Sequence, residues 1–157
     1  MKCAPPSPDD CQASSCANGA VRRASRRLGQ IYDEAFAPCG LKATQYSLLS
    51  HIARAEQPKM RDLALCLVMD LSALGHTLKP LVRDGLVLVQ VDELDRRSRR
   101  VLLTEDGRRK YEEARLISQR MSCRFEQAFG EEETVQLRKT LDFIASDDFA
   151  RLLLGSD

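Results

Sequence analysis

Four arginines fall within five residues, Arg96, Arg97, Arg99 and Arg100, in a chain whose formal net charge is only +1. Guanidinium groups set that densely pair with phosphate oxygens and reach into electronegative grooves. Upstream, Ser72, His76, Thr77, Lys79 and Arg83 occupy one side of a segment whose other side is Leu71, Leu74, Leu78, Leu81 and Val82. Hydroxyl, imidazole and ammonium groups on one helical face can reach base edges or phosphates, and Ala73 offers a methyl contact to thymine. The chemistry is recognition of a polyanion by one basic edge rather than by overall charge.

The same inventory excludes other classes. There are two histidines, His51 and His76, and no phosphate-binding glycine loop, nucleophile elbow or histidine–metal spacing, so neither an enzyme nor a cofactor is expected. The six cysteines (3, 11, 16, 39, 66, 123) form no CxxC pair and no zinc-ligand pattern, and reduced thiols are expected. No apolar run approaches the ~18 residues of a membrane span, and the N-terminus lacks the apolar centre of a signal peptide. A cytoplasmic protein without membrane contact is the expectation.

The elements that must position these residues follow from periodicity. Asp70 is placed to cap a helix carrying the polar face, because its carboxylate accepts orphan amides and suits the positive end of the dipole. Gly85 stands where a left-handed cap ends that helix. Two short strands, Leu86–Val91 and Val101–Leu103, then flank the arginine-rich turn. A helix followed by such a hairpin is a winged helix-turn-helix signature. Gly75 and Pro80 lie inside the helix, and proline there removes a backbone bond at a cost of up to ~3 kcal/mol. A kinked or shortened helix is therefore allowed for.

Taken in order, residues 1–15 are rich in Pro, Ser and Asp and read as a flexible tail. A helix over about Ala17–Ala37 carries Val21, Leu28, Ile31, Tyr32 and Phe36 on one stripe and ends at Pro38 and Gly40. Helices follow over Thr44–Ala55, with Tyr46, Leu48, Leu49 and Ile52 inward, and over Met60 to about Val68. Thr104 caps a long helix to about Phe129. After Gly130, acidic Glu131–Glu133 open one final helix that reaches Leu152–Leu154. The remaining cysteines, Cys39, Cys66 and Cys123, read as small packing residues.

The expected architecture is mainly α: about six helices plus a two-stranded wing. It divides into the tail (1–15), an N-terminal helix (16–40), a winged helix-turn-helix unit (41–107) and C-terminal helices (108–157). The first helix and the last two are apolar on more than one side with no large sheet to cover. They are expected to form the dimerisation lobe of a homodimer.

The chain resembles MarR-type transcriptional regulators. The resemblance rests on Asp92, Asp95, Arg96 and Arg97, followed by Val101-Leu102-Leu103-Thr104 and Gly107, which match that family's wing pattern. Leu41 with Gln45-Tyr46, and Leu81 with Gly85-Leu86-Val87, add to it, and together they cover about residues 17–154. Lys42 stands where the family usually has a capping Thr, so that cap is weakened or moves to Thr44. The resemblance implies a dimeric repressor on double-stranded DNA, with the fourth helix in the major groove and the wing tip in the minor groove. Arg97 is then the minor-groove arginine and Asp95 its positioner. Arg96, Arg99 and Arg100 are candidates for phosphate.

The resemblance also implies an effector. Many such regulators release DNA when a small aromatic or phenolic acid binds, and Arg22, Tyr46, His51 and Arg54 are the candidate pocket residues. A thiol switch is the alternative. In relatives that sense organic peroxides, the reactive cysteine aligns with Asn18 and the supporting tyrosines with Tyr32 and Arg22. Cys16, two residues away, and Tyr32 are what remains of that arrangement. A winged helix that binds protein instead of DNA is a third reading.

Overall fold

The computed structural model describes residues 16–155, so the expected tail, with Cys3 and Cys11, lies outside the described residues. The elements run α1 (Ala17–Phe36), a short 3-10 turn (Ala37–Cys39), α2 (Ala43–Ala55), α3 (Met60–Cys66), α4 (Leu71–Arg83), β1 (Val87–Val91), β2 (Arg99–Leu103), α5 (Glu105–Phe129), α6 (Glu131–Ile144) and α7 (Asp147–Leu154). This is a mainly helical winged helix-turn-helix fold. The strands pair antiparallel, Val87 opposite Leu103 and Val91 opposite Arg99. Lys59 bridges to Arg100 on the far side of β2, and the Val101 amide donates to the Pro58 carbonyl at 2.9 Å. The wing is thereby stitched to the loop before α3.

Local signals explain most boundaries. The Asp70 carboxylate accepts from the Ala73 amide at 2.7 Å, and Gly85 takes the left-handed conformation (φ 71°) that closes α4. Thr104 Oγ1 accepts from the Gly107 amide at 2.9 Å and caps α5. The start of α2 differs from expectation. Thr44 is not its cap; the Ala43 amide donates to Asp33 Oδ1 of α1 at 2.8 Å, and the Lys42 amide to Gln45 Oε1 at 2.8 Å. That Ala43 amide, assisted by Lys42, holds the Asp33 carboxyl below its ordinary value. The final helix also differs, being two: Ser146 donates to the Phe143 carbonyl and accepts from the Phe149 amide, ending α6 and capping α7.

The core is one cluster. Leu48, Leu49 and Ile52 of α2 meet Leu63 and Ala64 of α3, Leu74, Leu78 and Leu81 of α4, and Val87 and Val101 of the wing. Phe36 from the end of α1 and Ala114 from α5 join it. Tyr46 stacks between Phe36 (4.7 Å between centroids) and Tyr111 (6.2 Å), an offset geometry favourable to aromatic pairs. Leu71 and Val82 depart from the expected inward face. They are 52% and 41% exposed, because they flank the buried stripe beside Gly75, which supplies no side chain to cover them. Cys39 packs inside, whereas Cys66 and Cys123 are exposed and not packing residues.

No single helix among the described residues is long and apolar enough to cross a membrane; α3 and α4 reach that threshold only together and are bent by 103°.

Gly107 is where the wing meets α5 most closely. A Cβ at this position would lie 1.9 Å from the Leu86 carbonyl oxygen, which also accepts the Thr104 amide. A backbone oxygen held by a hydrogen bond cannot step aside cheaply. Gly107→Ala should therefore cost about 1–3 kcal/mol and lower Tm by roughly 3–10 °C in a thermal melt. An unchanged Tm would show that the junction yields.

Candidate nucleic-acid interface

The wing turn is built around the Asp92 carboxylate, which enters the sequence analysis only as part of the wing pattern and with no role of its own. Asp92 is 1% exposed. Its Oδ1 accepts the amides of Leu94 and Asp95, both at 2.9 Å, and its Oδ2 pairs with Arg100 Nε. Burial by itself raises the Asp92 pKa. The two amides and the guanidinium outweigh it and hold the carboxyl below its ordinary value. Arg100 was expected to reach for phosphate. Its guanidinium is instead turned inward, with a second bond from Nη1 to the Gln57 carbonyl at 3.0 Å. The signal was available: an aspartate and an arginine at opposite ends of a hairpin turn are natural partners.

Asp95 completes the turn. It accepts the Arg97 amide at 3.1 Å and the Ser98 hydroxyl at 2.6 Å, the hydroxyl being the main reason its carboxyl also titrates low. Its link to Arg97 runs through that residue's backbone. Arg96, Arg97 and Arg99 remain exposed around the turn.

On α4, Ser72, His76, Lys79 and Arg83 are all exposed. At about 100° per residue they fall within an arc of about 60°, a single ridge along the helix. Lys79 Nζ lies 3.3 Å from His76 Nδ1, and Arg83 Nε donates to Asp84 at 2.9 Å. Thr77, expected on this face, is half-buried off the ridge, its hydroxyl donating back to the Ala73 carbonyl at 2.9 Å. Ala73 is half-buried as well. Pro80 does not shorten the helix, which is continuous over 13 residues. Beside the ridge, Met60, Gly75, Leu78, Val82 and Val89 line a cavity of about 420 Å³ with Lys79 and Arg83 on its wall.

Of the expected effector residues, Tyr46, His51 and Arg54 share α2, and within one chain Arg22 is remote from them. Arg22 is exposed on α1, 14 residues and about 21 Å of helix from Phe36, the α1 residue that stacks on Tyr46. His51 donates from Nδ1 to the Ser47 carbonyl at 2.7 Å, and Arg54 is exposed. An apolar cavity of about 260 Å³ lies elsewhere, between α1, α5 and α6, lined by Leu28, Tyr32, Phe125, Leu137 and Leu141 with a Glu126–Arg138 pair at 3.2 Å. The redox pair is separated too. Cys16 and Tyr32 are 16 residues apart on one helix, about 24 Å, so they cannot meet within a chain. Among the described residues no group of three or more His, Cys, Asp or Glu side chains is placed to hold a metal ion.

An exposed polar helix beside an arginine-bearing hairpin is the arrangement of the winged helix DNA-binding proteins. Comparisons with known proteins give the family of this chain. Residues 40–98 match the profile of the MarR family. The transcriptional regulator MosR of M. tuberculosis, solved in complex with DNA, is 31% identical, with 87% of this chain and 98% of that one covered and a TM-score of 0.78. The repressor CouR is 24% identical in a complex with a 23-mer DNA duplex (86% and 96% covered, TM-score 0.76). CouR from Rhodococcus jostii RHA1 bound to p-coumaroyl-CoA is likewise 24% identical (85% and 94% covered, TM-score 0.72); at that identity the likeness is one of fold. No curated protein sequence matches significantly. The chain belongs to the MarR family of DNA-binding transcriptional regulators.

The Asp92 site predicts a pH signature. Its carboxyl is held low in the folded chain, so its contribution to stability is complete above the unfolded value of about 3.9 and is lost as pH falls through the folded one. Asp92→Asn should therefore be less stable than the parent at pH 7, with the gap closing below about pH 4. Urea unfolding at both pH values reads this; a gap independent of pH would remove the carboxylate from the argument.

Proposed function

We propose that this chain acts as a homodimeric repressor on a pseudo-palindromic operator, released by a small aromatic or phenolic acid. The observation that carries the DNA mode is the exposed ridge of α4 beside a wing whose backbone is fixed by internal hydrogen bonds. Ser72, His76, Lys79 and Arg83 face the major groove, with Ala73 and Thr77 at its margin, and Arg97 enters the minor groove next to it. Arg96 and Arg99 take phosphates. Asp95 acts through the Arg97 amide and Arg100 through Asp92, so both act on DNA through the shape of the wing.

A second copy is the natural cover for the distal helices. Val135, Leu141, Phe143 and Ile144 of α6 and Leu152, Leu153 and Leu154 of α7 are exposed, and so is Phe129 at the end of α5. Apolar surface on that scale favours association. Two-fold pairing sets two reading helices about one helical turn of DNA apart, roughly 10 bp.

The effector reading is supported by CouR, a neighbour solved with p-coumaroyl-CoA. In this chain the cavity between α1, α5 and α6 has suitable chemistry: aromatic and leucine walls for a ring, and Arg138 for a carboxylate. Entry of an acid there competes with Glu126 for the guanidinium.

Fluorescence anisotropy on DNA from the promoter of the chain's own gene tests these points together. Arg97→Ala should weaken binding and reduce the slope of log K against log salt by about one. A protein-binding wing would leave both unchanged. One member of an aromatic-acid panel should release the DNA from the parent and from Cys16→Ser, and not from Arg138→Ala. Release by organic peroxide, abolished by Cys16→Ser, would replace the acid with a thiol switch.

A further inference from the structure

The wing tip carries an apolar side chain among its charges. Leu94 is 93% exposed, more than any other large hydrophobic residue among those described. Single exposed leucines are common and ordinarily need no explanation. This one differs in how it is held. Its own amide and that of Asp95 are both bonded to the buried Asp92 carboxylate. The Asp92 amide donates across the turn to the Ser98 carbonyl at 3.0 Å. The backbone beneath Leu94 is thus fixed, and its side chain stands in solvent two and three residues before Arg96 and Arg97, in the turn assigned above to the minor groove. Three exposed arginines, Arg96, Arg97 and Arg99, outnumber Glu93 and Asp95, the exposed acids on either side of Leu94.

We infer that Leu94 is a specificity-determining residue that reads the floor of the DNA minor groove and disfavours G·C pairs under the wing. This inference rests on the DNA-binding mode proposed above. An A·T pair presents only acceptors on the minor-groove floor, whereas G·C adds the guanine 2-amino donor at its centre. A leucine pressed against that donor strips its water and returns no hydrogen bond, which is costly. Over A·T the same side chain packs against the sugar walls, and apolar side chains serve widely as minor-groove contacts. Arg97 supplies attraction to a narrow groove and Leu94 supplies rejection of the wrong base pair. The first depends on salt and the second does not.

The test needs an operator, which selection from a random duplex library with the parent protein provides. Hydroxyl-radical footprinting locates the base pairs under the wing. Three duplexes are then made with those pairs as A·T, inosine·C or G·C, inosine being guanine without its 2-amino group. The parent should bind the A·T and inosine·C duplexes alike and the G·C duplex at least about fivefold more weakly. Leu94→Ser, a change at an exposed position that leaves the fold intact, should bring the three within about twofold of one another. Its salt slope should equal the parent's. A G·C penalty that survives in Leu94→Ser, or one that extends to inosine·C, would overturn the inference while leaving DNA binding in place. Failure of the parent to select any duplex would overturn the DNA-binding mode itself, and this inference with it.

Discussion

The buried Asp92 carboxylate is the constraint on which the working edge of this protein depends. A charge removed from water must be compensated in full or it destabilises what surrounds it. Here the compensation is two amides of the turn and one guanidinium from β2. Because Arg100 also bonds Gln57, the same carboxylate that shapes the turn anchors it to the loop before α3. The wing is therefore no free hairpin, which would be only marginally stable in water. It is a third face of the helix-turn-helix core, with its position relative to α4 set by hydrogen bonds.

This arrangement divides labour among residues that look equivalent in the sequence. Of the four clustered arginines, one is spent on architecture and three stay in solvent. Of the two aspartates in the turn, one is buried and one exposed, yet both accept backbone amides. On α4 the four exposed polar residues form a ridge because they are spaced at i, i+4, i+7 and i+11, the spacing that stacks side chains on one face. Thr77 falls outside that series, and its hydroxyl turns back to its own helix.

What the sequence revealed and what it concealed follow the range of the interactions. The Asp70 and Thr104 caps act over three residues, and both were visible. So were the left-handed Gly85 and the leucine stripe of α4. The Asp33 cap on α2 crosses ten residues between two helices, and no local pattern announces it. Arg100 has one partner that is local, Asp92 across the turn, and one that no local pattern announces, Gln57, 43 residues away. Leu71 and Val82 fit the apolar period, but whether a flanking residue is covered depends on a neighbouring element, and Gly75 leaves that space open. The break between α6 and α7 was legible and passed over: Ser146 followed by two aspartates is a helix-start signal. Arg22, Cys16 and Tyr32 are spread along α1, where separations in sequence become distances, so one chain by itself does not gather them.

The long-range anchor of the wing also bears on the order in which the chain can fold. Contacts that close large loops form late, because their entropy is recovered only once intervening segments are in place. The Arg100–Gln57 bond spans the whole of α3 and α4, so it can form only when those helices have docked. The local helices can arise early, but the attachment of the wing to the helix-turn-helix core is among the last contacts to form. A half-folded chain thus already carries the basic run at residues 96–100 before the wing is fixed beside α4.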